Sequence, residues 1–327
     1  MTFSQPYRYA LSFLLAVTLI FVLVFFAGSD LLDVVKATDR SLLLTALVLS
    51  MTTYPIASLR WWLISNHLAG ARVDSFLGFL RARVTLGLGG LVGPREIVET
   101  GGRAVWLAKF RQQTNTRAMQ SVLIDRVCDL GISGIALVGC AALFLSWLEP
   151  AESLLLLISV CVGFVFIVPL VQTFLQKQFP SLTQQSQDSS AMVPTGFKLA
   201  LSKLKTAVLQ TLAISPQVVL ASLALSLIKF LILILRAAVL ATAVGVAIEP
   251  TAVAAAAPVG QLANLLAITP GGFGAYEASW FGLLQLLGVA IAPAVAFVLL
   301  QRVCELFSVL SMLPALIGGP STFSIKK

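Results

Sequence analysis

The sequence predicts an all-α polytopic membrane protein built from two inverted repeats, with about six full spans and two broken helical hairpins. Three observations carry this. The chain is 58% hydrophobic and only 11% charged, where a soluble domain has roughly 25% charged residues. Its apolar segments run unbroken past the roughly 20 residues that cross a bilayer, whereas a β-barrel shows alternating ten-residue segments. Finally, Asp125-Arg-Val-Cys-Asp-Leu130 recurs 176 positions later as Gln301-Arg-Val-Cys-Glu-Leu306. The same offset superposes Pro94 on Pro270 and Arg60 on Arg236. Separate features in one register indicate an internal duplication.

The first apolar run, 9–28, follows Arg8. Its apolar core is longer than the 7–15 residues of a signal-peptide core and more spans follow, so it is assigned as a membrane helix. Further full spans are expected at 41–64, 118–147, 153–175, 217–244 and 293–316. Two other apolar stretches, 74–112 and 252–290, are interrupted near the middle by Gly and Pro. The connection 176–205, rich in Gln, Ser and Lys, links a first repeat at 41–147 to a second at 217–316 within one integral membrane domain, 1–327. Residues 197–214 have the pattern of an amphipathic helix; Lys198, Lys203 and Lys205 suit an anionic inner leaflet, and an ordinary solvated loop helix fits equally well.

Basic residues in the connections set the orientation. With both termini cytoplasmic, thirteen fall inside and two, Lys36 and Arg40, outside. This count places Arg72, Arg81, Arg83, Lys109, Arg111 and Arg117 in cytoplasmic connections, while the outer connections hold Glu149, Glu152 and Glu249. Each broken stretch must then begin and end on one side, as a re-entrant hairpin or as two short crossings. The first enters from the cytoplasm and the second from outside, so the duplication is inverted, as in transporters whose broken helices meet near the midplane.

Seven basic residues remain inside apolar sequence (Arg60, Arg95, Arg103, Arg126, Lys229, Arg236 and Arg302), with six acids (Glu96, Glu99, Asp125, Asp129, Glu277 and Glu305). Each charge costs roughly 2.5–3.5 kcal/mol at the membrane centre, so they must face one another or a polar cavity. Arg126 precedes Asp129 by three residues and Arg302 precedes Glu305 by three, spacings that put each pair on one helix face. Arg60 and Arg236 have no local acid. Arg60, beside Trp61 and Trp62, can snorkel at the inner interface. Arg236 lies eight residues from the outer end of its span, which favours an anionic ligand or a distant acid such as Glu277 or Glu99. The breaks are Gly-rich and place Pro94 and Pro270 where a new helix starts, so each aims a helix N-terminus into the bundle. Two such ends plus arginines suit a phosphate; a packing kink is the plainer alternative. Substrate-binding candidates are Arg60, Arg126, Arg236, Pro270, Gly271, Gly272, Gly274, Glu277 and Arg302. Asp125, Asp129, Glu305, Glu99 and Arg103 are supporting charges.

Four cysteines (Cys128, Cys140, Cys161 and Cys304) all lie in apolar sequence without Cys-x-x-Cys spacing, and His67 is the one histidine. Small buried hydrophobes explain the cysteines; no metal or cofactor is expected. The +8 net charge sits in membrane connections and does not imply nucleic acid. No Walker motif is present, which argues against ATP-driven pumping.

At Pro270-Gly-Gly-Phe-Gly-Ala-Tyr-Glu277 the chain resembles the Pro-Gly-Gly-x-Gly-x-x-Glu motif of the flippase-like transmembrane family typified by the membrane half of lysylphosphatidylglycerol synthase. Arg302 downstream, the Pro94 region, Arg103 and Asp125-Arg126 extend the resemblance over roughly 10–316. The first motif reads Val98-Glu99 where the family has Gly-Glu, and Arg103 stands one residue late. The resemblance implies a bacterial or archaeal inner-membrane protein handling anionic or aminoacylated phospholipids, or polyprenyl-linked lipids. No transferase segment follows the last span, so synthesis of lysyl-phosphatidylglycerol is not expected. The leading expectation is a flippase that holds an anionic lipid head group while two halves rock, and not an enzyme. The alternatives are a membrane enzyme with Glu277 or Asp125 as acid/base, and an accessory subunit. A homo-oligomer, or a separate synthase or glycosyltransferase partner, is compatible with the sequence.

Overall fold

The structure, a computed structural model, describes residues 25, 28–93, 95, 97–178, 214–266 and 274–317. The described residues form ten α-helices: α1 (Asp30–Ala37), α2 (Arg40–Ala69), α3 (Phe76–Val92), α4 (Gly102–Val105), α5 (Asn115–Phe144), α6 (Pro150–Gln178), α7 (Pro216–Val244), α8 (Pro250–Leu266), α9 (Ala275–Leu286) and α10 (Ile291–Leu310). Two π-helical turns, Ile97–Gly101 and Trp106–Phe110, flank α4, and a 3₁₀ turn, Leu313–Leu316, follows α10. This is an all-α polytopic membrane fold. Five helices are long and apolar enough to cross a membrane: α2, α5, α6, α7, and α10 continued to Leu316. They coincide with five of the six expected full spans. The sixth run, 9–28, lies outside the described residues except at Phe25 and Gly28, as does most of the 176–205 connection and nearly all of 197–214.

Length separates these helices from the broken stretches. α2 and α5 have 30 residues each, about 45 Å at 1.5 Å per residue, against a hydrocarbon core of roughly 30 Å. α3 has 17 residues and α9 has 12, about 26 and 18 Å, so neither spans alone. From Ile97 to Phe110 the chain follows π-helical turns on both sides of the four-residue α4. Pro94 and Pro270 lie outside the described residues.

Local chemistry explains the helix ends. Asp39 caps α2, accepting from the Ser41 and Leu42 backbone N–H groups at 2.8 and 3.2 Å. The Ser41 hydroxyl also donates to it, and with the backbone donors holds its carboxyl below the ordinary range. Gly70, at φ 68°, ends α2. Ser215 and Pro216 open α7, the proline at a position whose N–H has no helical partner. The 29–40 connection, expected as a loop, contains α1.

The broadest packing contact joins α2 to α7, the two helices that carry Arg60 and Arg236. α5 packs on α6 and α8, α7 on α8, and α10 on α2 and α9. Gly260 on α8 makes one close approach possible: a Cβ there would lie 2.5 Å from Trp280 Nε1 on α9. On α6 the apolar surface turns outward, with Leu155, Phe166 and Leu170 64%, 64% and 72% exposed. Lipid chains, rather than water, are the solvent that suits such a face.

Candidate functional site

Sequence placed charges in lipid-grade helices, and the fold resolves most of them into two networks. The first sits where α2, α5 and α7 meet. Arg60, 1% exposed, donates from Nε to Asp125 at 2.6 Å and from Nη1 and Nη2 to Asp129 at 2.5 and 2.8 Å. It also donates to the Ser226 hydroxyl on α7. Arg103 donates to the other oxygen of Asp125 at 2.5 Å, and Lys229 on α7 to Asp129 at 2.6 Å. Arg103 rests over the Trp61 ring, 5.4 Å from its centroid, and Trp61 packs in a buried trio with Phe79 and Trp106. A guanidinium with every nitrogen engaged is locked in place, which is how a buried charge is tolerated. Arg60 therefore neither snorkels nor leaves a free prong for a ligand.

The second network runs between the two breaks. Glu277, in the first turn of α9, accepts from Arg302 Nε at 2.7 Å and from the Gly274 backbone N–H at 2.7 Å. Gly274 holds φ 95°, a conformation that residues with a Cβ rarely adopt. Arg302 also donates to Glu305 at 2.8 Å, Arg95 bridges Glu305 and Glu99 at 3.2 and 3.0 Å, and Arg126 lies 3.7 Å from Glu99. Arg126 also donates to the Thr100 hydroxyl at 3.2 Å. The arginine of each Arg-Val-Cys block thus meets the acid of the break in its own half.

Here one expectation is corrected. Arg302 pairs with Glu305 on its own helix as the spacing allows, but Arg126 does not pair with Asp129. Arg60 and Lys229 take both oxygens of Asp129, and bidentate guanidinium contact is stronger than a single same-helix contact. Arg126 turns to Glu99 instead.

Arg236 is different. It is 2% exposed; among the described residues no carboxylate lies within 4 Å of it and its one hydrogen-bond partner is the Tyr276 hydroxyl at 3.5 Å, while its Nε donates to nothing. Neither Glu277 nor Glu99, the acids expected as alternatives to a ligand, reaches it. The duplicated blocks explain why. Asp125, which receives Arg60, has Gln301 as its repeat mate, and Gln301 is fully buried with both amide atoms unpaired. Glu305, the mate of Asp129, is occupied by Arg95 and Arg302.

Arg236 lines a central cavity of about 100 Å³, several times the roughly 10–15 Å³ that admits one water. Arg83, Arg95, Arg126 and Lys229 line it too, with Glu99, Asp129 and Glu305. Tyr54, Ser133, Ser226 and Gln261 add neutral hydrogen-bonding groups. The cavity is a polar, net-positive chamber inside an apolar bundle.

Of the residues proposed from sequence, Arg126 and Arg236 line this cavity along with Glu99, Asp129 and Glu305. Arg60, Asp125, Arg103, Glu277 and Arg302 sit behind it in the networks, and Gly274 caps α9 beside Glu277. Pro270, Gly271 and Gly272 lie outside the described residues. Arg83 was missed: counted with the cytoplasmic connections, it lies in α3, 8% exposed. Arg83 stands inside the apolar stretch 74–112, ahead of its Gly-rich interruption, rather than in a polar connection, and that placement could have found it.

A family model described as the lysylphosphatidylglycerol synthase TM region matches residues 10–311. The chain belongs to this family. No curated protein and no solved structure matches the sequence.

Proposed function

We propose that this member of the lysylphosphatidylglycerol synthase membrane-region family holds the phosphate of an anionic lipid head group at Arg236 and carries that lipid between leaflets. Family membership supports a membrane protein linked to lipid handling. The observation that carries the finer reading is the contrast between repeat mates. Arg60 is filled by two aspartates, whereas Arg236 faces a cavity with its Nε unpaired. A buried charge left uncompensated is strongly destabilising, so its retention calls for an anion that comes and goes. Two inverted halves, hinged on the Arg95 bridge between Glu99 and Glu305, are the moving parts of this reading, in a bacterial or archaeal cytoplasmic membrane with both termini inside.

The same geometry argues against acid–base chemistry. Asp125 spends its oxygens on Arg60 and Arg103, and Glu277 on Arg302 and the Gly274 N–H. Neither carboxylate lines the cavity.

The test is a leaflet-exchange assay in vesicles holding the purified chain and a fluorescent anionic lipid, read with an impermeant quencher. Wild type should expose inner-leaflet label faster than protein-free vesicles, and Arg236→Gln should fall to the protein-free rate. Arg236→Lys should recover part, since lysine keeps the charge but loses the planar fork. Exchange by wild type no faster than protein-free vesicles, or an unimpaired Arg236→Gln, would overturn the reading.

A further inference from the structure

We propose that the head group taken by this cavity carries two negative charges, as a phosphomonoester or a diphosphate does and a phosphodiester does not, with Arg83 as its second guanidinium ligand. The inference rests on the anion-site reading of Arg236 and adds to it a charge state and a residue.

Arg83 enters from α3 and Arg236 from α7, and both line the same cavity. Each has a buried guanidinium N–H that donates to nothing: Nη1 of Arg83 and Nε of Arg236. Among the described residues, the carboxylate oxygen within 4 Å of Arg83 is Asp125 Oδ2, at 3.9 Å, and Arg103 already holds that oxygen at 2.5 Å. Arg83 also lies over the Tyr54 ring, 5.9 Å from its centroid. Two half-satisfied forks from different helices therefore converge on one small chamber.

Charge decides how many negative charges belong there. The networks and cavity hold eight basic side chains, Arg83 joining the seven counted from sequence, and five acidic ones among the described residues. That leaves three positive charges in excess. Glu96, outside the described residues, would leave two if counted. A phosphodiester carries one charge and two free oxygens. A phosphomonoester, with a second pKa of about 6, carries nearly two and presents three oxygens; a diphosphate carries at least two across more oxygens. In a low-dielectric interior each unmatched charge is expensive, so the dianion is the better complement. Its oxygens can also accept from both Arg83 and Arg236, where charge-assisted hydrogen bonds are strong.

The test is native mass spectrometry of the purified full chain at pH 8, with phosphatidic acid, phosphatidylglycerol and phosphatidylcholine of identical acyl chains. Inorganic pyrophosphate serves as a soluble competitor. Wild type should retain phosphatidic acid about tenfold better than phosphatidylglycerol, the effect of an added charge-assisted hydrogen bond. Arg83→Gln should bring phosphatidic acid down to the phosphatidylglycerol level and leave phosphatidylglycerol within about twofold. Arg83→Lys, which keeps the charge, should show an intermediate preference and serves where Arg83→Gln does not yield folded protein. Equal retention of the two anionic lipids by wild type, with no thermal stabilisation by pyrophosphate, overturns the dianion, and an undiminished preference in both Arg83 variants overturns the role of Arg83. If Arg236→Gln leaves all anionic lipid retention unchanged, the underlying anion site falls instead. Thermal stabilisation by pyrophosphate without any lipid preference overturns a lipid as the source of the dianion.

Discussion

Arg302 on α10 donates from Nε to Glu277 on α9 at 2.7 Å, tying the helix of the second Arg-Val-Cys block to the first turn after the second break. The same carboxylate caps the Gly274 N–H at 2.7 Å, so one side chain fixes both the helix start and its neighbour. This pairing joins the two parts of the motif, Pro270–Glu277 and the downstream arginine, that carried the resemblance at the level of sequence.

Removing one partner of that pair should therefore be costly to the fold. Glu277→Ala removes the acceptor of Arg302 Nε, though Arg302 keeps Glu305, and it uncaps α9, so it should destabilise the protein by about 1–3 kcal/mol. Thermal unfolding in detergent, followed by tryptophan fluorescence, measures this. The double variant Glu277→Ala with Arg302→Met should be more stable than Glu277→Ala alone, because the buried Nε left without an acceptor is gone while Glu305 keeps Arg95. Loss no larger than that of an exposed control such as Lys36→Ala would mean that the pair is not structural.

Gln301→Asp restores, in the second half, the carboxylate that the first half has at Asp125. If Gln301 is what frees Arg236, the new aspartate should capture it. Anionic lipid retention should then fall about as far as in Arg236→Gln, with the protein still folded, since a new buried pair replaces an unpaired amide. Wild-type lipid retention by a folded Gln301→Asp protein would show that the glutamine is not the determinant.

The orientation inferred from the basic residues is open to direct labelling. A cysteine placed at Glu149 or Glu249, in a background lacking the native cysteines, should react with an impermeant maleimide added to intact cells. One placed at Gln184 should react only after the cells are opened. Reaction of the Gln184 position from outside would reverse the topology and with it the inverted relationship of the repeats.

What the sequence by itself determined follows from quantities local to each segment. Hydropathy summed over about 20 residues is enough to specify a spanning helix, and α2, α5, α6, α7 and α10 lie where the apolar runs placed them. Gly and Pro clusters likewise marked 74–112 and 252–290 as stretches in which the described helices, α3, α4, α8 and α9, are all short. The recurring Arg-Val-Cys block was visible because the same three residues stand 176 positions apart. Pairing was not legible, because it depends on which helices touch. Arg60 reaches Asp125 and Asp129 across 65 and 69 residues, and Lys229 reaches Asp129 across 100. Spacing permitted Arg126 to meet Asp129 on one helix face, but it cannot weigh that contact against a two-pronged competitor from α2. Arg83 was misplaced for the same reason: a charge count by segment cannot tell a loop arginine from one folded inward on α3. Only the tertiary structure decided which cations are fully engaged and that Arg83 and Arg236, both lining the cavity, each keep a buried N–H that donates to nothing. A salt bridge is a property of distance, and distance between remote residues is set by packing rather than by local sequence.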